Sequence, residues 1–396
     1  MQEERKNVPK IRFKGYAEDW EQRKLGDFVV DYVEKTSVQN QFPMLTSSQQ
    51  KGIVLQEDYF ANRQVTTENN IGYFVLPRGY FTFRSRSDND VFVFNRNDII
   101  DRGIISYFYP VFTLKTADSD FFLRRINNGI QRQLSIQAEG TGQHVLSLKK
   151  FKNIVAMFPS EEEQQKIGTF FKQLDDTIAL HQRKLDLLKE TKKGFLQKMF
   201  PKNGAKVPEI RFPGFTEDWE QRKLGEMVKQ FSIKSKKEDE YTVLSSTNSG
   251  MEIRDGRVSG TSNLGYKIVE DGDLVLSPQN LWLGNININD IGKGLVSPSY
   301  KTFKFTNINS AFLKPQLHTS KMLEEYKNSS TQGASIVRRN LELDSFYQIP
   351  MLVPTTEEQS KLGVFFESMD NTITLHQREL DSLKEMKKSL LQQMFV

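Results

Sequence analysis

The chain of 396 residues contains two copies of one framework. Residues 8–26 read VPKIRFKGYAEDWEQRKLG, and residues 207–225 read VPEIRFPGFTEDWEQRKLG. A second pair of near-copies, 159–200 and 354–395, is identical at most positions, whereas the stretches between the copies resemble each other only faintly. A duplicated frame around two divergent blocks favours recognition of two different ligands over catalysis at one site.

Length and composition limit the class of protein. A chain of this length exceeds what one compact core usually organises, so we expect two or more domains. It contains no cysteine, which excludes disulfides and thiolate metal sites. No apolar run approaches the ~18 residues of a membrane span, and the charged start resembles no signal peptide, so we expect a cytoplasmic protein without a membrane partner. The net charge of +5 only mildly favours a polyanionic partner.

Each copy of the frame is followed by a variable block, residues 27–150 and 226–345. Apolar and β-branched runs bounded by turn residues predict strands in and beside these blocks. The predicted strands are Tyr107–Leu114, Asn153–Phe158, Asp273–Leu276 and Tyr300–Phe305. Strands that alternate with short polar helices predict a mixed α/β or α+β domain, whose topology the periodicity leaves open.

A long helix is predicted after each block. Pro159-Ser160 before three glutamates, and Pro354-Thr355-Thr356 before two, indicate helix starts, because a capping hydroxyl and carboxylates favour the positive end of the helix dipole. Beyond these starts, apolar residues step by four and three over several heptads, which is typical of a coiled coil. The predicted seam is Ile167, Phe171, Leu174, Ile178, His181, Leu185 and Leu188 in the first helix, and Leu362, Phe366, Met369, Ile373, His376, Leu380 and Leu383 in the second.

Chain order constrains how these helices pair. The first helix leads from block one to block two, and the second leads away from block two, so a pseudo-twofold relation between the copies requires antiparallel helices. Phe395 and Val396 should then lie beside Met1, because Met199-Phe200 runs directly into the second VPEIRF string. We expect two globular domains, 1–158 and 201–353, separated by a long antiparallel two-helix coiled coil formed by 159–200 and 354–396.

No catalytic motif is recognisable. The string Ile291–Gly294 lacks the glycine spacing and the Ser or Thr of a P-loop. The four histidines lack metal-ligand spacing. His181 and His376 occupy the same seam position; a polar residue that fixes helix register is the simpler interpretation, and a catalytic pair is the alternative. We therefore expect a chain that is not catalytic by itself and binds no metal or cofactor.

Loops at matching places in the two blocks carry side chains suited to nucleic-acid bases. Arginine presents a bidentate fork to guanine, and Asn or Gln offers the donor and acceptor pair that matches adenine. Any one such loop alone would be an ordinary solvated loop, but their recurrence in a duplicated chain favours DNA binding. The candidates in block one are Ser47, Ser48, Gln49, Arg84, Arg86, Asn89, Gln143 and His144. Those in block two are Ser246, Thr247, Asn248, Gln279, Asn280, Trp282, Arg338 and Arg339.

Basic residues that flank these loops are candidates for contacts to DNA phosphates, which position a protein on DNA without specifying sequence. They are Arg124, Arg125, Arg132, Lys149, Lys150, Lys234, Lys236, Lys237 and Lys301.

These motifs resemble the specificity subunit of type I restriction-modification systems. The resemblance rests on the repeated VPxIRFxG and EDWEQRKLG strings, on the Pro-x-x-Glu-Glu-Gln-x-Lys-Ile/Leu-Gly entry to each helix, and on the Leu-Gln-x-Met-Phe exit, and it covers the whole length. It implies two target recognition domains, each recognising one half of a split double-stranded DNA target. It further implies spacer helices that dock two methyltransferase subunits, with restriction subunits joining through the complex. S-adenosylmethionine, ATP and Mg would then be bound by the partner subunits and not by this chain.

Two other classes of function stay open. A coiled-coil scaffold with two protein-binding heads would account for the helices, but not for different heads within a kept frame. An enzyme with an unrecognised site would need a catalytic group in only one block, or different groups in each. Binding to DNA that weakens steeply with salt distinguishes the DNA hypothesis from both.

Overall fold

The computed structural model describes residues 8–60, 69–140, 142–202, 204–254, 262–332 and 339–395. The chain divides into two compact units. Unit 1 is built from Met1–Gln182 together with Glu379–Val396, and unit 2 from Arg183–Arg378. The domain boundaries expected from the sequence, which separate the helices from the globular parts, stay a prediction.

Unit 1 is a mixed fold of short strands and helices. Its strands are β1 (Glu21–Lys24), β2 (Val29–Tyr32), β3 (Leu45–Ser48), β4 (Gly52–Leu55), β5 (Phe74–Pro77), β6 (Phe81–Phe83), β7 (Arg86–Ser87), β8 (Phe94–Arg96), β9 (Arg102–Ile105), β10 (Val111–Leu114), β11 (His144–Val145) and β12 (Val155–Phe158). Its helices are α1 (Gln56–Tyr59), α2 (Ser119–Asn127), α3 (Gln131–Gln137), α4 (Leu148–Lys152) and α5 (Glu161–Lys198), of which α5 continues into unit 2.

Unit 2 is likewise a mixed fold of short strands and helices. Its strands are β13 (Glu220–Lys223), β14 (Val228–Phe231), β15 (Leu244–Thr247), β16 (Gly250–Ile253), β17 (Lys267–Val269), β18 (Leu274–Leu276), β19 (Ile286–Ile288), β20 (Gly294–Val296), β21 (Lys301–Phe305), β22 (Ser330–Gln332), β23 (Arg339–Leu341) and β24 (Pro350–Val353). Its helices are α6 (Ser310–Leu313), α7 (Ser320–Asn328), α8 (Leu343–Tyr347) and α9 (Thr356–Met394), and α9 continues into unit 1.

The four-stranded sheet and three of the strand pairs have the same topology in the two units, whereas the fourth pair differs, β7-β11 in unit 1 and β22-β23 in unit 2. Unit 1 has a four-stranded sheet in the order β2-β10-β6-β8, and unit 2 has the order β14-β21-β18-β19, with all neighbours antiparallel. The smaller pairs also correspond, β1-β12 to β13-β24, β3-β4 to β15-β16 and β5-β9 to β17-β20. The predicted duplicated mixed fold is therefore confirmed. The predicted strands all occur, each shortened at its start by loop or turn residues.

An aromatic core organises each unit. In unit 1, Trp20 packs edge-on against Phe121 and Phe395, with ring centroids 5.9 and 6.4 Å apart. In unit 2, Trp219 packs in the same way against Phe200 and Phe312, at 6.0 and 5.8 Å. In each unit the motif tryptophan thus packs against the Phe that follows a long helix, Phe395 after α9 in unit 1 and Phe200 after α5 in unit 2. Phe395 lies close to the motif as expected, whereas Met1 and Val396, which completed that prediction, lie outside the described residues.

The long helices run antiparallel within each unit. In unit 1, Phe171 packs against Phe395 at 6.0 Å, and Lys384 Nζ donates to Gln182 Oε1 at 3.4 Å, so residue numbers rise along α5 as they fall along α9. In unit 2, Lys192 Nζ donates to Asp370 Oδ1 at 2.5 Å. The rings of Phe195 and Phe365 lie 5.2 Å apart in the same unit, which gives the same antiparallel sense.

The predicted seam residues lie on the sheltered side of the helices. Ile167, Phe171, Leu174, Leu185, Leu362, Phe366 and Leu380 are buried, and Ile178, His181, Leu188, Met369, Ile373, His376 and Leu383 are half-buried. His181 Nδ1 lies 3.6 Å from Glu379 Oε2. The pairing of all these residues along one coiled-coil seam stays a prediction.

The helix-entry motif of each unit is held by contacts with the opening motif and by a hydrogen bond within the entry motif itself. Arg12 forms a two-point ion pair with the buried Glu163, and Arg211 does so with Glu358. The next residue of each motif, Gln164 or Gln359, donates its amide to the carbonyl of the proline five residues earlier. These contacts fasten each helix start to its own unit. No helix in the described ranges is long and apolar enough to cross a membrane.

Candidate nucleic-acid interface

A polar cleft of about 550 Å³ opens on unit 1. Its walls are the β3-β4 hairpin, the loop that follows β6, and strand β8. The cleft brings together predicted residues that are far apart in sequence: Ser47, Ser48, Gln49, Arg84, Arg86 and Asn89. Gln49, Arg84, Arg86 and Asn89 are exposed, although Asn89 Oδ1 already accepts from Ser87 Oγ at 3.0 Å and from the Val91 N–H at 3.3 Å.

The hairpin tip at Gln49 is shaped by Ser48. This side chain is buried, and its Oγ accepts hydrogen bonds from the backbone N–H groups of Gln50 and Lys51, at 3.3 and 3.2 Å. Gly52 closes the turn with a φ of 71°, in the left-handed region that favours glycine. Ser48 therefore holds the turn, and the exposed Gln49 and Gln50 form its surface.

An asparagine that the sequence reasoning missed positions this hairpin. Asn95 on β8 donates its amide to Ser47 Oγ at 2.8 Å and to the Ser48 carbonyl at 3.0 Å. Unit 2 repeats the contact, because Asn287 on β19 donates to Ser246 Oγ at 2.8 Å and to the Thr247 carbonyl at 2.7 Å. The available signal was an Asn-x-Asn pattern in both blocks, at 95–97 and 287–289.

The segment after β6 that carries Arg84 and Arg86 is held by contacts with Phe108 and with strand β11. The Arg86 guanidinium lies 4.4 Å from the centroid of the Phe108 ring, and Ser85 Oγ donates to the Phe108 carbonyl at 2.8 Å. Strand β7 pairs with β11, which places His144 opposite Ser87. This order fixes where the loop presents Arg84 and Arg86.

Gln143 and His144 contact the carboxylates of that same loop. Gln143 Nε2 donates to Asp88 Oδ1 at 3.0 Å, and His144 Nδ1 contacts the carboxylate of Asp90. The hydrogen bond with His144 lowers the pKa of Asp90 below its ordinary value. These two candidates therefore support the loop beside the cleft, and they are not part of the cleft lining.

Unit 2 presents different side chains on the corresponding hairpin. Ser246 is buried, Thr247 is half-buried and Asn248 is exposed at the tip. Thr247 Oγ1 accepts from the Ser249 N–H at 3.1 Å, as Ser48 Oγ accepts from backbone N–H groups in unit 1, and it also donates to the Gly250 carbonyl at 3.2 Å. The exposed tip is thus Asn248-Ser249 in unit 2 and Gln49-Gln50 in unit 1.

The remaining unit 2 candidates lie on two segments that meet. Gln279 and Asn280 are exposed and Trp282 is half-buried on the loop after β18. Leu341 N–H donates to the Pro278 carbonyl at 3.2 Å, which joins that loop to the β22-β23 pair carrying Arg339. Arg339 is half-buried and donates through Nη2 to the Ser330 carbonyl at 3.0 Å. Arg338 lies outside the described residues.

Two residues predicted to contact phosphates, Arg124 and Arg125, instead bind partners within unit 1. Arg125 is only 2% exposed and donates to the carbonyls of Met157 and Asn128, at 3.0 and 2.8 Å. Burial lowers its pKa to about 10. The neighbouring Arg124 forms an ion pair with Asp175 on α5. The prediction for Arg125 is wrong, because a guanidinium this deeply buried cannot meet a DNA phosphate.

The other residues predicted to contact phosphates differ in their ion pairing and in their exposure. Lys150 forms an ion pair with Glu139. Arg132, Lys149, Lys234, Lys236 and Lys237 are exposed, and Lys301 is half-buried. Their phosphate contacts stay a prediction.

Comparison with known proteins decides the family. The model of the type I restriction modification DNA specificity domain matches residues 17–190 and, a second time, residues 216–385. The chain belongs to the type I restriction-modification specificity family. Both matches begin at the shared opening motif and extend into a long helix, so the family domain occurs twice in this chain.

Two specificity subunits from Methanocaldococcus jannaschii are similar to this chain. It is 24% identical over 419 residues to the MjaVIII specificity subunit, with 94% of this chain and 91% of that protein covered. It is 23% identical over 278 residues to the MjaX specificity subunit, with 65% of this chain covered. This second match spans 62% of its relative's length, which is less than two thirds.

A solved structure shares the fold. The crystal structure of a type I restriction-modification S subunit from M. genitalium matches with a TM-score of 0.62, and 98% of this chain and 99% of that one are covered. The identity is 14%, so the likeness concerns the fold alone.

Proposed function

We propose that the chain is the DNA-recognition subunit of a type I restriction-modification complex, with each unit recognising one half of a bipartite double-stranded target. The repeated family domain is the observation that carries this proposal. One domain per half-site accounts for a frame that is kept in both units while the loops it presents diverge.

The loop chemistry supports different base preferences in the two units. Unit 1 offers the exposed guanidiniums of Arg84 and Arg86, whose forked donors match the O6 and N7 acceptors of guanine. The loop after β18 in unit 2 offers the exposed amides of Gln279 and Asn280, which match the donor and acceptor of adenine. Asn95 and Asn287 would hold the neighbouring hairpins in place while the bases are contacted.

The long helices would dock two methyltransferase subunits and, through them, restriction subunits. Leu180 on α5 and Leu375 on α9 occupy equivalent positions of the repeat, and their side chains are 59% and 56% exposed. An exposed leucine at the equivalent position of each helix supports two similar surfaces, each of which would bind one copy of the same partner. The methyl donor S-adenosylmethionine, ATP and Mg would be bound by these partners, and this chain would act in the cytoplasm without catalysing either reaction.

Block exchange in a host that expresses the whole system tests the proposal. Residues 27–150 are replaced by the corresponding block of another family member, and the methylated motif is determined by sequencing. We expect one half of the motif to change and the other half to be kept. The matched control replaces residues 226–345, and it should change the opposite half.

Changes in both halves after a single exchange would contradict one domain per half-site. Methyl transfer to DNA by the purified chain alone, supplied with S-adenosylmethionine, would contradict a purely recognising role.

A further inference from the structure

A cluster of three lysines lies beside the β15-β16 hairpin of unit 2: Lys234, Lys267 and Lys301. Lys234 and Lys267 are bridge partners on antiparallel backbones, so their side chains start on the same face about 5 Å apart. Lys267 Nζ donates to the Tyr300 carbonyl at 2.5 Å, and Lys301 is the next residue. Tyr300 in turn donates its hydroxyl to the Ser246 carbonyl at 3.2 Å, which connects the lysines to the β15-β16 hairpin.

The positive charge of this cluster is not neutralised by the described part of unit 2. Lys267 is only 7% exposed, and burial together with the charges of Lys301 and Lys234 lowers its pKa. None of the three lysines forms an ion pair with a carboxylate within the described ranges. Neighbouring lysines do, since Lys304 pairs with Asp273 and Lys293 lies 3.9 Å from Glu270.

Unit 1 shows that the fold does not need these lysines. There Lys35 bridges Phe74, as Lys234 bridges Lys267 in unit 2. Pro110 follows Tyr109 in unit 1, as Lys301 follows Tyr300 in unit 2. An aromatic ring and a proline therefore stand in one unit where the other has two ammonium groups. Like charges held side by side destabilise a sheet, so their presence indicates a ligand that offsets the repulsion.

We propose that Lys234, Lys267 and Lys301 form a phosphate-binding site of unit 2 that holds one backbone phosphate of the DNA duplex. The inference rests on the proposed function for its ligand. A phosphate oxyanion held by the side chains of Lys234 and Lys301 would fix the position of unit 2 on the duplex without specifying a base, and the buried charge of Lys267 would add to the positive potential there. The equivalent place in unit 1, with one lysine, lacks this site.

Salt-dependent DNA binding tests the proposal. The full-length chain, assembled with its methyltransferase subunits, is titrated with a duplex that carries the motif methylated in the host. The variant Lys267→Phe/Lys301→Gln removes two of the ammonium groups, and its Phe is the residue that unit 1 has at this position. Loss of one phosphate contact should reduce the magnitude of the slope of log K against log salt by about 0.9. This change corresponds to an affinity about fivefold lower at 0.15 M salt.

Matched variants separate the site from general effects of charge. Lys293→Gln removes a lysine of the same unit that already has a carboxylate neighbour, and it should leave the slope nearly unchanged. Lys301→Arg keeps the charge and should keep the slope. The methylated motif should be the same for all variants, because a phosphate contact carries no base information.

Several results would overturn the inference. An unchanged slope in a folded double variant, with wild-type circular dichroism, would show that no phosphate binds there. A changed base motif would assign the lysines to base recognition. If millimolar inorganic phosphate raises the melting temperature of the wild type but not of the double variant, while the DNA slope stays the same, the site takes a free anion only. Absence of DNA binding by the wild-type complex would instead count against the proposed function.

Discussion

Arg12 donates two hydrogen bonds to the carboxylate of Glu163, which is 151 residues away in the sequence. Nε lies 2.7 Å from Oε1, and Nη2 lies 2.8 Å from Oε2. Arg211 and Glu358 repeat the geometry at 2.8 and 2.7 Å. The glutamates are 0% and 1% exposed, and the hydrogen bond to its glutamate raises the pKa of each arginine. These pairs join the opening motif of each repeat to the start of its long helix.

Arg12→Ala should therefore destabilise the protein strongly. Removal of one partner leaves a buried carboxylate uncompensated, which costs about 3–5 kcal/mol. Denaturant unfolding of the variant measures the loss. As a control, Arg23→Ala removes an arginine whose side chain is 42% exposed and lies 3.3 Å from Asp27, and it should cost no more than about 1 kcal/mol. Equal effects of the two substitutions would rule out a structural role for the buried pair.

Two glycines of α5 should respond oppositely to alanine. A Cβ at Gly168 would lie 2.2 Å from Asp118 Oδ1 and 2.8 Å from the Phe121 backbone nitrogen, so Gly168→Ala forces the helix away from α2 and should cost about 1–3 kcal/mol. A Cβ at Gly194 would meet nothing within 4 Å, so Gly194→Ala should stabilise the helix by about 0.5–1 kcal/mol. Melting temperatures of the two variants give the signs directly, and a stable Gly168→Ala protein would contradict the close approach.

Asn95→Ala should loosen recognition in one half of the methylated motif only. The substitution removes the amide that holds the hairpin at Ser47 and Ser48, so the hairpin tip loses its fixed place beside the cleft. Motif sequencing should show degenerate bases in the half-site of unit 1. Asn287→Ala should produce the same effect in the other half.

Asn97→Ala is the matched control for this prediction. Asn97 is fully buried and donates to the carbonyls of Leu76 and Ile100, both at 2.9 Å, and neither carbonyl belongs to the hairpin. Its loss should cost a similar stability, about 1–3 kcal/mol, because it too leaves buried carbonyls unpaired. The motif should nevertheless stay intact. Degeneracy in both variants would mean that instability, and not hairpin position, relaxes the recognition.

Lys267→Phe should stabilise the free protein near neutral pH. The folded state lowers the pKa of Lys267, so at neutral pH the charged group opposes folding. That cost disappears as the pH rises through the lowered pKa towards about 10.5, the ordinary value for lysine. The melting temperature of the variant should exceed that of the wild type at pH 7, and the difference should shrink at higher pH. A difference that does not depend on pH would show that packing, and not charge, is responsible.

The sequence predicted those features that repeat or have a regular period. The helix start after Ser160 and the one beside Thr356 agree with α5 and α9, because capping residues and first-turn carboxylates act locally. Ser47 and Ser246 are candidates because they occur at matching places, and they do lie on corresponding hairpins, whereas their role in binding stays a prediction. The fold class followed from the same duplication.

Contacts between distant residues could not be predicted in this way. Asn95 meets its partner Ser47 across 48 residues, and no local pattern states which backbone a single amide will support. Arg125 looks like a phosphate ligand within a basic run, but interior carbonyls satisfy it. Whether a charged side chain faces solvent or a buried partner depends on the packing of the whole unit.

The two cores differ in the segments of chain that build them. Residues 183–378 of unit 2 are contiguous, and its hydrophobic core draws on that stretch alone. Unit 1 buries Met394 and Phe395 in its core, and these residues are synthesised only after the whole of unit 2. The core of unit 1 therefore cannot close until residues on both sides of unit 2 have been made.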